Sequence, residues 1–301
     1  MKNYLPFLLA IAVLSLSSCG SDKKDDADAF LSELDEAVDA PAISEETIND
    51  ILMQIPAPIE ISMLMKDSGS DYDKTILSNP DNVSKYNTTF KRAINLGIYG
   101  TDLIYTNIFN KNQEGLAYMK SVKELADDLN IGQFFNIRLI GRLATNNDNL
   151  DSIMLITTQN FNAINRYLQE NKRANLSILF LVGGWMEAVH INCQMSIDNP
   201  EITSLAERIG EQKIILENIM LLMSFYAETD PNIKELYEDM LTLKEAYANI
   251  EITYTYAEPT TEIVGGVLMI IDNSKSTVHI TQENVKEIDR VIETIRTKLT
   301  S

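Results

Sequence analysis

Asp102 sits on an apolar helical face, with Ile98 four residues before it, Tyr105 three after and Phe109 seven after. A carboxylate projecting from such a face loses its water, and its pKa rises unless donors satisfy it. Such an acid marks either a reactive site or a structural hydrogen bond. Glu187 is a second acid in similar surroundings. The two could serve as general acid and base on a glycan or peptide, but only if they open together into one cleft. Rings and polar groups cluster near both acids in the chain, so Tyr99, Asp102, Tyr105, Trp185, Glu187 and His190 form the candidate ligand-binding set. Polar contact between helices is the structural reading of the same residues.

Gly97 and Gly100 each cost about 1 kcal/mol relative to Ala inside a helix, so close helix contact or ligand approach must compensate. Close packing is the expectation. A faint echo links this region to a second one. Gly97-Ile-Tyr-Gly-Thr-Asp102-Leu-Ile-Tyr105 and Val182-Gly-Gly-Trp-Met-Glu187-Ala-Val-His190 each give glycines, an aromatic, an acid, and a ring three positions after the acid.

Glu187, His190 and Cys193 are spaced by three, along one side of a helix. Glu-x-x-His resembles half of a ferritin-like di-iron site, but the other half is missing. His279, the only other histidine, has no Glu three residues before it. Zinc needs four protein ligands, or three and a water. No metal and no cofactor are therefore expected; His190 reads as a hydrogen-bonded core residue and Cys193 as an inert buried thiol. The chain has no Gly-x-Ser-x-Gly elbow, no P-loop and no His-Glu-x-x-His, so no catalytic residue is assigned. Tyr86, Tyr99, Tyr105 and Tyr118 fall at helical spacing and read as core rather than as a sugar-stacking platform.

The whole chain bounds these choices. It has 301 residues, 45% of them hydrophobic, with 44 acidic against 25 basic side chains and a net charge of -19. That composition describes a globular protein, and the charge repels nucleic-acid phosphates. Apart from Cys19 the chain holds a single cysteine, Cys193, so stability must come from packing.

No proline occurs between Pro80 and Pro200, and apolar residues there recur every three or four positions. The spacing predicts helices over 82–111, 113–130, 132–145, 148–171, 174–197, 200–227 and 231–248, joined by short Asn- and Pro-containing breaks. Residues 251–256 alternate as a strand, and 267–271 with 277–281 read as a hairpin around a loop at 273–276. Thr281 caps a last helix through Val285, Ile288, Ile292 and Ile295. The expected fold is mainly all-α: successive antiparallel helical hairpins, as a bundle or a stacked array of the tetratricopeptide kind, with a small β insertion at about 251–281 in a domain over 44–301.

Upstream, Lys2 and the apolar stretch from Leu5 to Leu16 form an export signal too short to span a bilayer. It ends in Leu16-Ser17-Ser18-Cys19, which resembles a bacterial lipobox, with cleavage after 18 and lipid on the Cys19 sulfur. Residues 19–43 read as an acidic tether, with a short amphipathic helix through Phe30, Leu31, Leu34 and Val38. Ser44 caps the helix that follows, where Glu45 and Glu46 meet the dipole. Lys24-Asp25-Asp26 resembles the acidic surface-export signal of Bacteroidota lipoproteins, displaced here several residues beyond the Cys.

Residues 95–105 and 118–131, with the lipobox, look like all-helical lipoproteins of the Bacteroidota. The resemblance implies an outer-membrane lipoprotein, on the periplasmic face or the cell surface, and carries over no activity. The sequence thus predicts a lipid-anchored, non-enzymatic helical binding module. Its expected partners are the membrane through its anchor and a small molecule or protein, but not nucleic acid. The alternatives are an envelope hydrolase using the paired carboxylates and a purely structural envelope protein.

Overall fold

The computed structural model describes residues 51, 71–135, 150–264, 267–271 and 273–301. The signal peptide, the tether, the helix capped by Ser44 and most of the helix expected at 132–145 lie outside these residues. The described chain is mostly helical: α1 (Thr89–Ile108), α2 (Asn112–Asp128), α3 (Leu150–Glu170), α4 (Ala174–Asp198), α5 (Thr203–Ala227), α6 (Pro231–Ala246) and, after the β segment, α7 (Gln282–Thr300).

The boundaries follow local chemistry. Thr88 caps α1 by accepting from the Lys91 N–H, and Asp230 caps α6 with Pro231 in the first turn. At α7, Thr281 and Asn284 form a reciprocal capping box. Left-handed residues Asn110, Asn130 and Lys172, with φ of 57°, 55° and 56°, turn the chain out of α1, α2 and α3.

Two expected helix starts are corrected. The helix expected from residue 82 begins only at Thr89. Before it lies a 3-10 turn, Pro80–Lys85, whose Asn79 cap accepts from the Asp81 N–H, and an extended Tyr86. Helical apolar spacing there is overridden by two successive caps, Asn79 and Thr88. The helix expected from residue 132 begins as a 3-10 turn, Gly132–Phe134, with Phe135 already non-helical.

α4 is the central helix, packed against α1, α3, α5 and α7. It is long and apolar enough to cross a bilayer, yet 94% of its most apolar window is buried by the protein itself. Its approach to α1 is backbone against backbone. A Cβ on Gly97 would overlap the Phe180 carbonyl, and one on Gly183 would overlap the Ile94 carbonyl. The two segments that echo each other in sequence are therefore the two faces of one helix crossing. Thr101 Oγ1 donates to the Gly184 carbonyl at 3.0 Å across it.

The β segment comprises β1 (Glu251–Thr255), β2 (Thr260–Val264), β3 (Val267–Ile271) and β4 (Lys275–His279). Pairing is nested and antiparallel: β1 with β4, from Glu251 opposite His279 to Thr255 opposite Lys275, and β2 with β3, from Thr260 opposite Ile271 to Val264 opposite Val267. This corrects the expected hairpin. Residues 267–271 pair with β2 rather than with the segment after 273, and Lys275 and Ser276 belong to a strand rather than to a loop. Only two residues, both glycine, separate Val264 from Val267, and a Gly-Gly pair between apolar runs is the stronger hairpin signal.

Candidate functional site

Residues 73–80 run across α1, α2, α4 and α7 as a single turn, Lys74 to Leu77, and an irregular stretch that enters the 3-10 turn at Pro80, yet Ile76, Leu77 and Ser78 are 8%, 9% and 7% exposed. Buried irregular backbone cannot leave its N–H and C=O groups unpaired. Here side chains from the helices supply the partners. From α1, the Tyr105 hydroxyl accepts from the Asp73 N–H at 3.1 Å, Asp102 Oδ2 accepts from the Ser78 N–H at 3.2 Å, and the Tyr99 hydroxyl donates to the Asn79 carbonyl at 2.8 Å. From α2, the Tyr118 hydroxyl donates to the Ser78 carbonyl at 2.8 Å and Ser121 Oγ to the Pro80 carbonyl at 2.9 Å. The Ile76 carbonyl receives His190 Nε2 from α4 and Arg296 Nη2 from α7, each at 3.1 Å. Arg296 Nη2 also reaches Ser78 Oγ at 2.9 Å.

At the centre lie Asp102 and Glu187, both 0% exposed. Arg296 grips Glu187 through two bonds, Nε to Oε2 at 2.7 Å and Nη2 to Oε1 at 2.9 Å. Burial pushes the Glu187 carboxyl up, but the guanidinium beside it prevails and holds it below the ordinary range; Arg296 is in turn held protonated. Asp102 moves the other way: burial first, then the Glu187 charge, raise it well above the usual carboxylate range. As a carboxylate, Asp102 would leave Oδ1 without a partner. With a proton, the acid has a donor to offer the neighbouring Glu187 carboxylate, whose charge raises it. One negative charge, one guanidinium and one neutral acid then occupy the centre.

His190 completes this wall. A carbonyl only accepts, so Nε2 carries a proton toward Ile76. Nδ1 faces Asp289 Oδ1 at 3.5 Å and Glu293 Oε2 at 3.6 Å, while Gln194 Nε2 donates to both oxygens of Asp289. Burial raises the hydroxyls of Tyr99 and Tyr118 far above the ordinary value and that of Tyr105 to about 12, so all three remain protonated. Cys193 is fully buried, and burial pushes its thiol up.

Five of the six candidate residues, Tyr99, Asp102, Tyr105, Glu187 and His190, come together around residues 73–80. Trp185 stands apart: its indole N–H donates to Gln212 Oε1 of α5 at 3.0 Å. All six are buried, between 0% and 3% exposed. The two carboxyls share a sealed interior rather than a cleft. Sequence reasoning missed Arg296, Tyr118 as a donor, and the segment they hold. Arg296 left one signal: buried acids require a cation, and Arg296 adjoins the buried positions Ile292, Ile295 and Leu299 of α7. Among the described residues no group of three His, Cys, Asp or Glu side chains is arranged to hold a metal ion.

The chain matches no protein-family model, no curated protein and no solved structure.

Proposed function

We propose that this chain is a lipid-anchored, non-enzymatic helical interaction module of the bacterial outer membrane, tethered through Cys19 and facing the periplasm or the exterior. The anchor rests on Leu16-Ser17-Ser18-Cys19 and the apolar stretch before it. One observation carries the non-enzymatic part. Asp102 and Glu187, the acid and base of a hydrolase reading, are both fully buried, Glu187 gripped by Arg296 and Asp102 accepting from the Ser78 N–H. A general acid must reach a substrate proton, and neither carboxyl meets solvent. Cys19→Ser in the native host tests the anchor. Loss of palmitate labelling and release of the protein from the membrane fraction are expected; an unlabelled wild type, or a variant that fractionates unchanged, contradicts it.

A further inference from the structure

We infer that the groove formed by α1, α2, α4 and α7 is a binding site for a short turn-forming peptide, filled in this structure by the chain's own residues 73–80. The inference rests on the interaction-module reading and names its ligand class. Its basis is what the groove reads. The contacts go to main-chain groups: the N–H of Asp73 and Ser78, and the carbonyls of Ile76, Ser78, Asn79 and Pro80. Main-chain groups are nearly the same in every peptide, so such a groove selects a backbone shape first, here the turn that the Leu77 N–H closes on the Lys74 carbonyl at 3.2 Å, and side chains second. The side-chain demand is confined to the buried run Ile76-Leu77-Ser78, two apolar residues and one small polar one, with Arg296 on the serine hydroxyl.

The groove walls hold one another without the occupant. α1 and α4 meet through Gly97 and Gly183, and Thr101 bonds to Gly184. Asn95 of α1 donates to the Leu299 carbonyl of α7 at 2.9 Å, and Gln194 of α4 bonds Asp289 of α7. No described main-chain bond joins residues 73–80 to any of these helices; the main-chain bonds near it are local, such as Leu77 N–H to Lys74. An emptied groove is lined by Asp102, Glu187, His190, Arg296 and tyrosine hydroxyls, which water can solvate. The segment is thus held as a ligand is held, by side chains closing on a backbone, and a second peptide of like shape can replace it.

The test uses the full chain and a fluorescein-labelled peptide of residues 72–81, Tyr-Asp-Lys-Thr-Ile-Leu-Ser-Asn-Pro-Asp. In the paired variant Ile76→Gly and Leu77→Gly the internal segment is weakened. That variant should bind the peptide at least tenfold more tightly than wild type, whose own segment competes at high effective concentration. A peptide with Pro in place of Ser78 lacks the N–H that Asp102 accepts and should bind at least tenfold more weakly. A variant that keeps its helical circular dichroism but takes up no peptide overturns the proposal. If the variant unfolds, hydrogen exchange of wild type decides: the Asp73 and Ser78 amides should open while α4 stays protected. Exchange of those amides only together with α4 overturns the proposal equally. Neither readout depends on Cys19, so failure of the anchor and failure of the groove are distinguishable.

Discussion

Asp102 and Glu187 share one buried pair yet shift in opposite directions, because Arg296 sits on Glu187 while Asp102 meets only the Ser78 N–H and another acid. Replacing each by its amide should separate their roles. Glu187→Gln removes the buried partner of the 11%-exposed Arg296 and leaves it only the half-exposed Glu293 at 3.4 Å, and a broken buried pair costs about 3–5 kcal/mol. Asp102→Asn keeps the acceptor for Ser78 and offers Glu187 a donor, so its cost at neutral pH should stay below about 1 kcal/mol. Urea unfolding of the two variants checks the contrast, and equal losses contradict it. Cys193, buried and held as a thiol, should react with a thiol reagent only on unfolding. At this scale the sequence was half legible. Ile98, Tyr105 and Phe109 put Asp102 on an apolar face and implied donors, but its donor is the backbone of Ser78, and the cation beside Glu187 lies 109 residues away on α7. Periodicity reports which face of a helix is apolar, not what crosses over it.

Among the elements, α1 carries two glycines that sequence treats alike and structure does not. Gly97→Ala should destabilise, since its Cβ would meet the α4 backbone. Gly100 has only the Phe180 ring at 3.9 Å, so Gly100→Ala should stabilise by about 0.5–1 kcal/mol. Opposite shifts of the thermal midpoint confirm this, and like shifts refute it. Removing the α7 cap by Thr281→Ala should cost about 1 kcal/mol, read in the same way. Most helices were legible because long amphipathic or apolar runs ended at Asn and Pro: α4, α5 and α6 fall within a few residues of expectation. Residues 80–88 were not, because caps at Asn79 and Thr88 compete locally with the apolar period. The strand pairing failed for another reason: Asn273-Ser274 drew the turn, although Gly-Gly already separated two apolar runs.

At the scale of the molecule, a chain of net charge -19 places the buried charges Glu187 and Arg296 beside residues 73–80. The expected all-α fold with a β insertion is the observed one, and the packing of α4 at its centre follows from the most apolar helical run in the described chain. What no local pattern could announce is that the reactive-looking side chains face their own backbone. The raised Asp102 carboxyl gives this a pH signature. From the ordinary carboxylate range up to its own higher value, the folded protein holds a proton that the unfolded chain has released, so stability falls as pH rises through that window. The Glu187 contribution has the opposite sign: it is present above the ordinary range and lost as pH falls through its lowered value. Urea unfolding of wild type and Asp102→Asn across the pH range above 4 tests the neutral, structural acid most directly. The difference between them should change with pH in favour of the variant, by at most about 1.4 kcal/mol per pH unit, the value for one proton. Two curves that run parallel across that range would mean that Asp102 is ionised in the folded protein, and would contradict the account.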